Sequence, residues 1–144
     1  MINLISRTNI QENYSLLAKG LVRALDKTTL GDYWSLDDLY QHIVNFECYA
    51  FHQVESAYSG AFSITTSPKR KTLYFFWSGK DPENTVPVDY EEVNRMLEDA
   101  AKHFGCHVIL CEGRAGWKNV LEPLGYAVDS INYTREVKYE LPPI

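Results

Sequence analysis

The side chains best suited to chemistry lie mostly in the C-terminal half of the chain. Glu112 follows the apolar run His107-Val108-Ile109-Leu110-Cys111 and is the candidate catalytic residue, as a general base. A carboxylate at a strand end takes that role when burial raises its pKa, and is otherwise a solvated loop residue, which is the commoner outcome. Arg114 and Trp117 place a guanidinium and an indole in one tight turn, Gly113-Arg114-Ala115-Gly116-Trp117, and are the candidate partner-binding pair. Trp117 has an equal claim to be the core anchor of the short helix that follows. His103, Cys106, His107 and Cys111 are residue types that bind zinc. A helix end, a turn and a strand would all have to aim inward, and no Cys-x-x-Cys pair is present, so no metal site is assigned. Lys69-Arg70-Lys71 could meet a phosphate backbone, but one basic triplet at a hairpin tip is more often a solvated turn that blocks edge pairing. His42 and His52 stand alone and read as structural.

These residues need a scaffold, and the periodicities supply one. Asp89, with Glu92 three residues on, predicts a helix start, and Val88 can staple against Val93. Tyr90, Val93, Leu97, Ala101 and Phe104 recur at helical spacing, and Gly105 supplies a left-handed stop. The unalternating run to Cys111 suits a strand covered on both faces. Earlier, Ile2 to Ser6 predicts a first strand, and Asn9 with Glu12 a capping box for a helix ending near Thr28. Ser35 and Asp38 predict a second cap, with Leu39, Tyr40, Ile43, Val44 and Phe46 on the core face of its helix. Strands are expected over Cys48 to Glu55, Tyr58 to Thr66 and Thr72 to Trp77, with Ser67-Pro68-Lys69-Arg70 as the turn between the last two. A short helix near Trp117 to Glu122 and a long final strand from Ala127 to Tyr139 complete the reading. The crossover between the strands ending at Trp77 and Cys111 makes that pair parallel, on a sheet otherwise antiparallel.

The 144 residues, 45% of them hydrophobic, fit one domain with a real core. No apolar run is long enough for a membrane span, so no membrane partner is expected. Three cysteines in unrelated contexts argue for reduced thiols rather than a disulfide framework. A net charge of -5 gives no general drive toward nucleic acid.

This order of elements resembles the GCN5-related N-acetyltransferase (GNAT) fold. Gly105-Cys106, Gly113-Arg114 with Gly116-Trp117, Leu121, and Leu124-Gly125-Tyr126 are similar to small acetyltransferase-like proteins of tailed bacteriophages and prophages. The resemblance implies a single α/β domain (α+β, mixed sheet) of the acyl-CoA N-acyltransferase fold over residues 1–140, with 141–144 as a tail. In such enzymes, backbone amides between the fourth strand and third helix hold the coenzyme A pyrophosphate, which makes Trp77, Ser78, Gly79 and Lys80 the candidate cofactor contacts. Only Gly79 matches the glycine pattern there; Pro82 and Pro87 lack amides, and Asp81, Glu83, Asp89, Glu91 and Glu92 bring negative charge. The proton-donating tyrosine of the following helix is replaced by Leu121, or by Val120 with a shift of one. These departures predict no bound cofactor, or acetyl-CoA if the chain is an N-acetyltransferase.

The expected function is therefore that of a catalytically degenerate phage protein acting through protein contacts in virion assembly or genome delivery. Its partners would be phage structural proteins or a host protein, and its location the host cytoplasm and the virion. The alternatives are a divergent acyl-CoA-dependent N-acyltransferase modifying a host or phage protein, and an inhibitor of a host defence protein.

Overall fold

The structure is a computed structural model that describes residues 1–113 and 115–139. The chain divides into two compact units, Met1–Arg114 and Ala115–Ile144. The first holds a five-stranded sheet in the order β1 (Ile2–Ile5), β2 (Tyr49–Gln53), β3 (Tyr58–Thr66), β4 (Lys71–Lys80) and β5 (Val108–Cys111). The first four strands pair antiparallel and β5 runs parallel to β4, as the crossover argument requires.

Helices α1 (Ile10–Lys27) and α2 (Leu36–Val44) cover one face of the sheet, and α3 (Tyr90–His103) covers the other. On the first face, Leu17, Leu21, Leu39, Ile43, Ala50 and Trp77 form a continuous buried cluster. On the second, Tyr49 packs against Phe104 with ring centroids 4.8 Å apart, and Tyr58 meets Tyr90 edge-on at 5.7 Å. Val93, Leu97 and Ala101 are the buried stripe of α3, at the spacing read from the sequence.

Two of the three expected caps form. Ser35 accepts from the Asp38 amide while Asp38 accepts from the Ser35 amide, a full capping box. Asp89 accepts from the Glu92 amide, and Gly105 ends the region beyond α3 at φ 71°. Asn9 does not cap α1. Its side chain turns back instead, accepting from the Ser6 amide and donating to the Leu4 carbonyl, so it closes the strand-to-helix turn. Phe46 is also not in the core: it follows α2 at φ 60°, is exposed, and lies under the Arg7 guanidinium at 5.0 Å.

β5 is the last strand of the sheet, partly exposed rather than covered on both faces. In the second unit, Ala115–Trp117 and Glu122–Leu124 are 3-10 turns flanking the one-turn helix α4 (Lys118–Leu121), and Gly125 ends the run at φ 95°. The long strand expected from Ala127 to Tyr139 is not formed; those residues have no regular secondary structure. Among the described residues no helix is long and apolar enough to cross a membrane.

Candidate functional site

The site is set by a mismatch in length between neighbouring strands. β5 follows β4 only from Thr72↔Val108 to Phe75↔Cys111, and the Glu112 amide makes the final bond, to the Phe75 carbonyl at 3.1 Å. β4 continues to Lys80, paired with β3 alone. Along Phe76–Lys80 no strand covers the other edge of β4 among the described residues. This stretch begins at a bulge, since Ala61 pairs with Trp77 and Phe62 with Phe75, leaving Phe76 unmatched. One extra residue reverses the alternation of the side chains that follow.

The bulge decides what the four candidate cofactor contacts present. Trp77 is 1% exposed and its indole donates to the Leu21 carbonyl of α1 at 3.0 Å, so its side chain is core. Gly79 lies against Gly20 of α1. Ser78 and Lys80 alternate to the α3 side, where Ser78 pairs with Gly60 and Lys80 with Tyr58. The Lys80 ammonium donates to the Val86 carbonyl and so pins its own loop. Of the four, only Ser78 offers a side chain toward the space above the β4 edge.

Tyr58 was not singled out from sequence, where it reads as one more apolar position of a half-buried strand. It is 3% exposed, packed between Phe51 and Tyr90, and its hydroxyl has no hydrogen-bond partner. Burial pushes the phenol pKa well up; Ser78 is close enough to favour the phenolate slightly, and Tyr90 and Cys111 oppose it. The group is thus held as a neutral phenol beside Ser78, without a well-formed hydrogen bond. The signal that could have marked it is the glycine at position 60, two residues on along the same face, where any Cβ would strike the rings of Phe51 and Phe75.

Five amides of the loop after β4 are spent on the chain's own oxygens. The Asp81 amide bonds to the Ala57 carbonyl, the Glu83 amide to the Asp81 carboxylate and the Asn84 amide to the Asp81 carbonyl. The Val86 amide bonds to the Asn84 side chain, and the Asp89 amide to the Gln53 side chain. Gln53, 1% exposed on β2, also donates to the Asp89 carbonyl and to the Glu92 carboxylate, both at 3.0 Å. It therefore replaces the Glu92 half of the capping box. The helix start that would receive an anion is already furnished with the chain's own oxygens.

Of the remaining candidates, Glu112 is exposed just past β5. Trp117 is half-buried in the second unit, and Arg114 lies outside the described residues. His107 spends its Nδ1 on the Lys71 amide at 3.1 Å. Sequence order also hid a pair: His52 Nδ1 and Ser59 Oγ, on adjacent strands, lie 2.7 Å apart and are buried.

No protein-family model matches the sequence, and no curated protein matches it. Solved structures do match over nearly the whole chain. A probable acetyltransferase superposes with a TM-score of 0.72 at 12% identity, covering 96% of this chain and 99% of its own. An aminoglycoside acetyltransferase from an uncultured soil metagenomic sample gives 0.69 at 13% identity, covering 96% and 98%. The aminoglycoside N-acetyltransferase AAC(6')-Iy in complex with CoA gives 0.61 at 12%, covering 94% and 93%. At such identities the likeness establishes architecture, and the chain has the GNAT-type acetyltransferase fold.

Proposed function

We infer that this chain is a divergent acyl-CoA-dependent N-acyltransferase whose acyl donor lies along the uncovered edge of β4. The observation that carries this reading is that edge, Phe76–Lys80, backed by the buried and unpartnered Tyr58 hydroxyl. An extended, amide-bearing chain can bond to exposed strand edges as an added strand would. A buried hydroxyl left without a partner costs about 1–3 kcal/mol, which a ligand carbonyl would recover.

The coenzyme fits this site in part. Its pantetheine arm suits the β4 edge, with Ser78 and Tyr58 as side-chain donors. Its diphosphate does not suit the loop after β4, where the amides of Asp81, Glu83, Asn84, Val86 and Asp89 are already bonded and the carboxylates carry the same charge as the ligand. No reaction step is derived through the coenzyme. What the chain itself offers is a neutral phenol beside the β4 edge and, past the end of β5, the exposed Glu112 carboxylate.

Calorimetry with acetyl-CoA tests the reading. Micromolar binding, weakened in Ser78→Ala, together with labelled product from acetyl-CoA and host lysate, supports it. No heat and no product with several acyl donors overturns it.

The self-occupied loop favours a second reading, a non-catalytic relative acting through protein contacts in a phage particle with a structural or host protein as partner. Absence of the protein from washed virions would dispose of the virion role.

A further inference from the structure

The net charge of -5 averages over two unlike ends of the sheet. Where β4 stops stand Glu55, Asp81, Glu83, Asp89, Glu91 and Glu92, from the β2–β3 turn, the loop after β4 and the start of α3. The opposite end, about 30 Å away along β4, is basic. Lys69 and Arg70 are exposed in the β3–β4 turn, which the Ser67 amide and hydroxyl close on the Arg70 carbonyl at 2.8 and 2.9 Å. The Lys71 amide donates to His107 Nδ1 at 3.1 Å, and the His107 amide to the Lys71 carbonyl at 2.8 Å. Burial raises the pKa of the Cys106 thiol and the Lys71 ammonium opposes it, so that ammonium lies beside the turn leaving α3. Lys102 and His103, both exposed, end α3. The last carbonyls of that helix are taken by the amides of Phe104, Gly105 and Cys106, so neither cation is needed as a cap. Lys69, Arg70, Lys71 and Lys102 enter no ion pair among the described residues. Of the carboxylates toward this end, Glu47 is paired with His42 at 3.2 Å and Glu98 accepts from Asn94 at 3.4 Å, while Asp99 stands one turn back on α3.

We propose that this basic end, Lys69, Arg70, Lys71 and Lys102 with His103 and His107, holds the phosphate backbone of double-stranded DNA without reading its sequence. One triplet is a weak signal in an acidic chain, but the fold adds to it cations from two elements far along the sequence. A lone phosphate would engage one or two of them, whereas a duplex, with a charge about every 1.7 Å of its axis, engages all. The acidic end, repelled by the same backbone, turns the basic end toward it. A membrane surface would need apolar anchors, and none of the large exposed hydrophobic side chains lies in residues 63–72 or 102–107. A single strand would need open aromatic faces for its bases, and the rings here, Phe104 and Tyr49, are packed on each other at 4.8 Å. Because β5 pairs with β4 from Thr72 onward, no two-stranded ribbon stands clear of the sheet to enter a groove, so contact stays with the phosphates. The proposal does not depend on the acyltransferase reading.

Fluorescence anisotropy of a labelled, random-sequence DNA duplex titrated with the full chain tests this. Binding is expected in the micromolar range at about 50 mM salt, weakening about a hundredfold by about 200 mM, as four neutralised phosphates require. Lys102→Gln, remote in sequence from the triplet, should weaken binding and lower the salt slope by about 1, and Lys69→Gln/Arg70→Gln by about 2. Lys19→Gln/Arg23→Gln, on the exposed face of α1, should change neither. All these side chains are exposed, and unchanged circular dichroism confirms that each variant folds. No binding at about 50 mM salt, or binding that Lys102→Gln leaves unaltered, overturns the proposal. So does tighter binding to single-stranded DNA of the same length, or to phosphatidylserine vesicles, than to the duplex.

Discussion

Gly20 of α1 and Gly79 of β4 lie against one another with no room for a side chain on either. A Cβ built on Gly20 would stand 2.5 Å from the Gly79 carbonyl oxygen, and one on Gly79 would meet the Gly20 carbonyl closer still. The obstructing atoms are backbone, so neither neighbour can rotate away. Alanine at position 20 would gain about 0.5–1 kcal/mol in helix propensity. Overpacking costs about 1–3 kcal/mol and wins, because α1 must lift from the strand. Gly20→Ala and Gly79→Ala are therefore both expected to lower the urea midpoint, Gly79→Ala more.

Gln53 is the second point of sensitivity. It is buried on β2 and bonds to the amide and carbonyl of Asp89 and to Glu92, and it accepts from the Ser56 hydroxyl. Gln53→Leu keeps the volume but strands several of these groups, at about 1–3 kcal/mol for each that stays dry. A loss of at least about 2 kcal/mol in chemical denaturation is expected, with faster exchange across the start of α3. An unchanged midpoint would mean that water replaces the glutamine.

The fold was readable from sequence where local signals agreed with packing. The Ser35 cap, the Tyr58 to Thr66 strand and the parallel β4–β5 pair all follow from spacing alone. It was unreadable where a side chain works through a distant element. Nothing local says that Gln53 caps α3, since 36 residues separate it from Asp89. The bulge at Phe76 was equally hidden, and it turns the Trp77 side chain into the core while its backbone stays on the uncovered β4 edge. The strand expected at 127–139 failed because a strand's pattern is local while its partner is not.

Tyr58→Phe separates stability from ligand binding. The phenylalanine keeps the ring contacts with Phe51 and Tyr90 and removes only the unpartnered hydroxyl. Relieving a buried donor should stabilise the ligand-free protein by up to about 1–2 kcal/mol, visible as a higher melting temperature. If the hydroxyl serves an acyl donor, the same variant should show a smaller thermal shift with acetyl-CoA than the wild type. A lower melting temperature without ligand would show that the hydroxyl is satisfied in solution and is structural.

His52 should make the protein sensitive to mild acid. Its imidazole is buried beside Ser59, and burial lowers its pKa below the ordinary 6.5 because the charged form cannot be solvated there. The unfolded chain therefore takes up the proton first. Stability is fully present above about pH 6.5 and falls as pH drops from there through the depressed value in the folded state. The carboxylates of Asp38 and Glu55 are shifted down and act at lower pH, and the amino terminus is shifted up and acts at higher pH. A window from about pH 5 to 6.5 thus isolates the histidine. His52→Asn keeps a nitrogen near Ser59 and has no proton to gain. Urea midpoints measured across that window should fall with acid in the wild type and stay level in the variant. Parallel slopes in the two proteins would mean that another group carries the dependence.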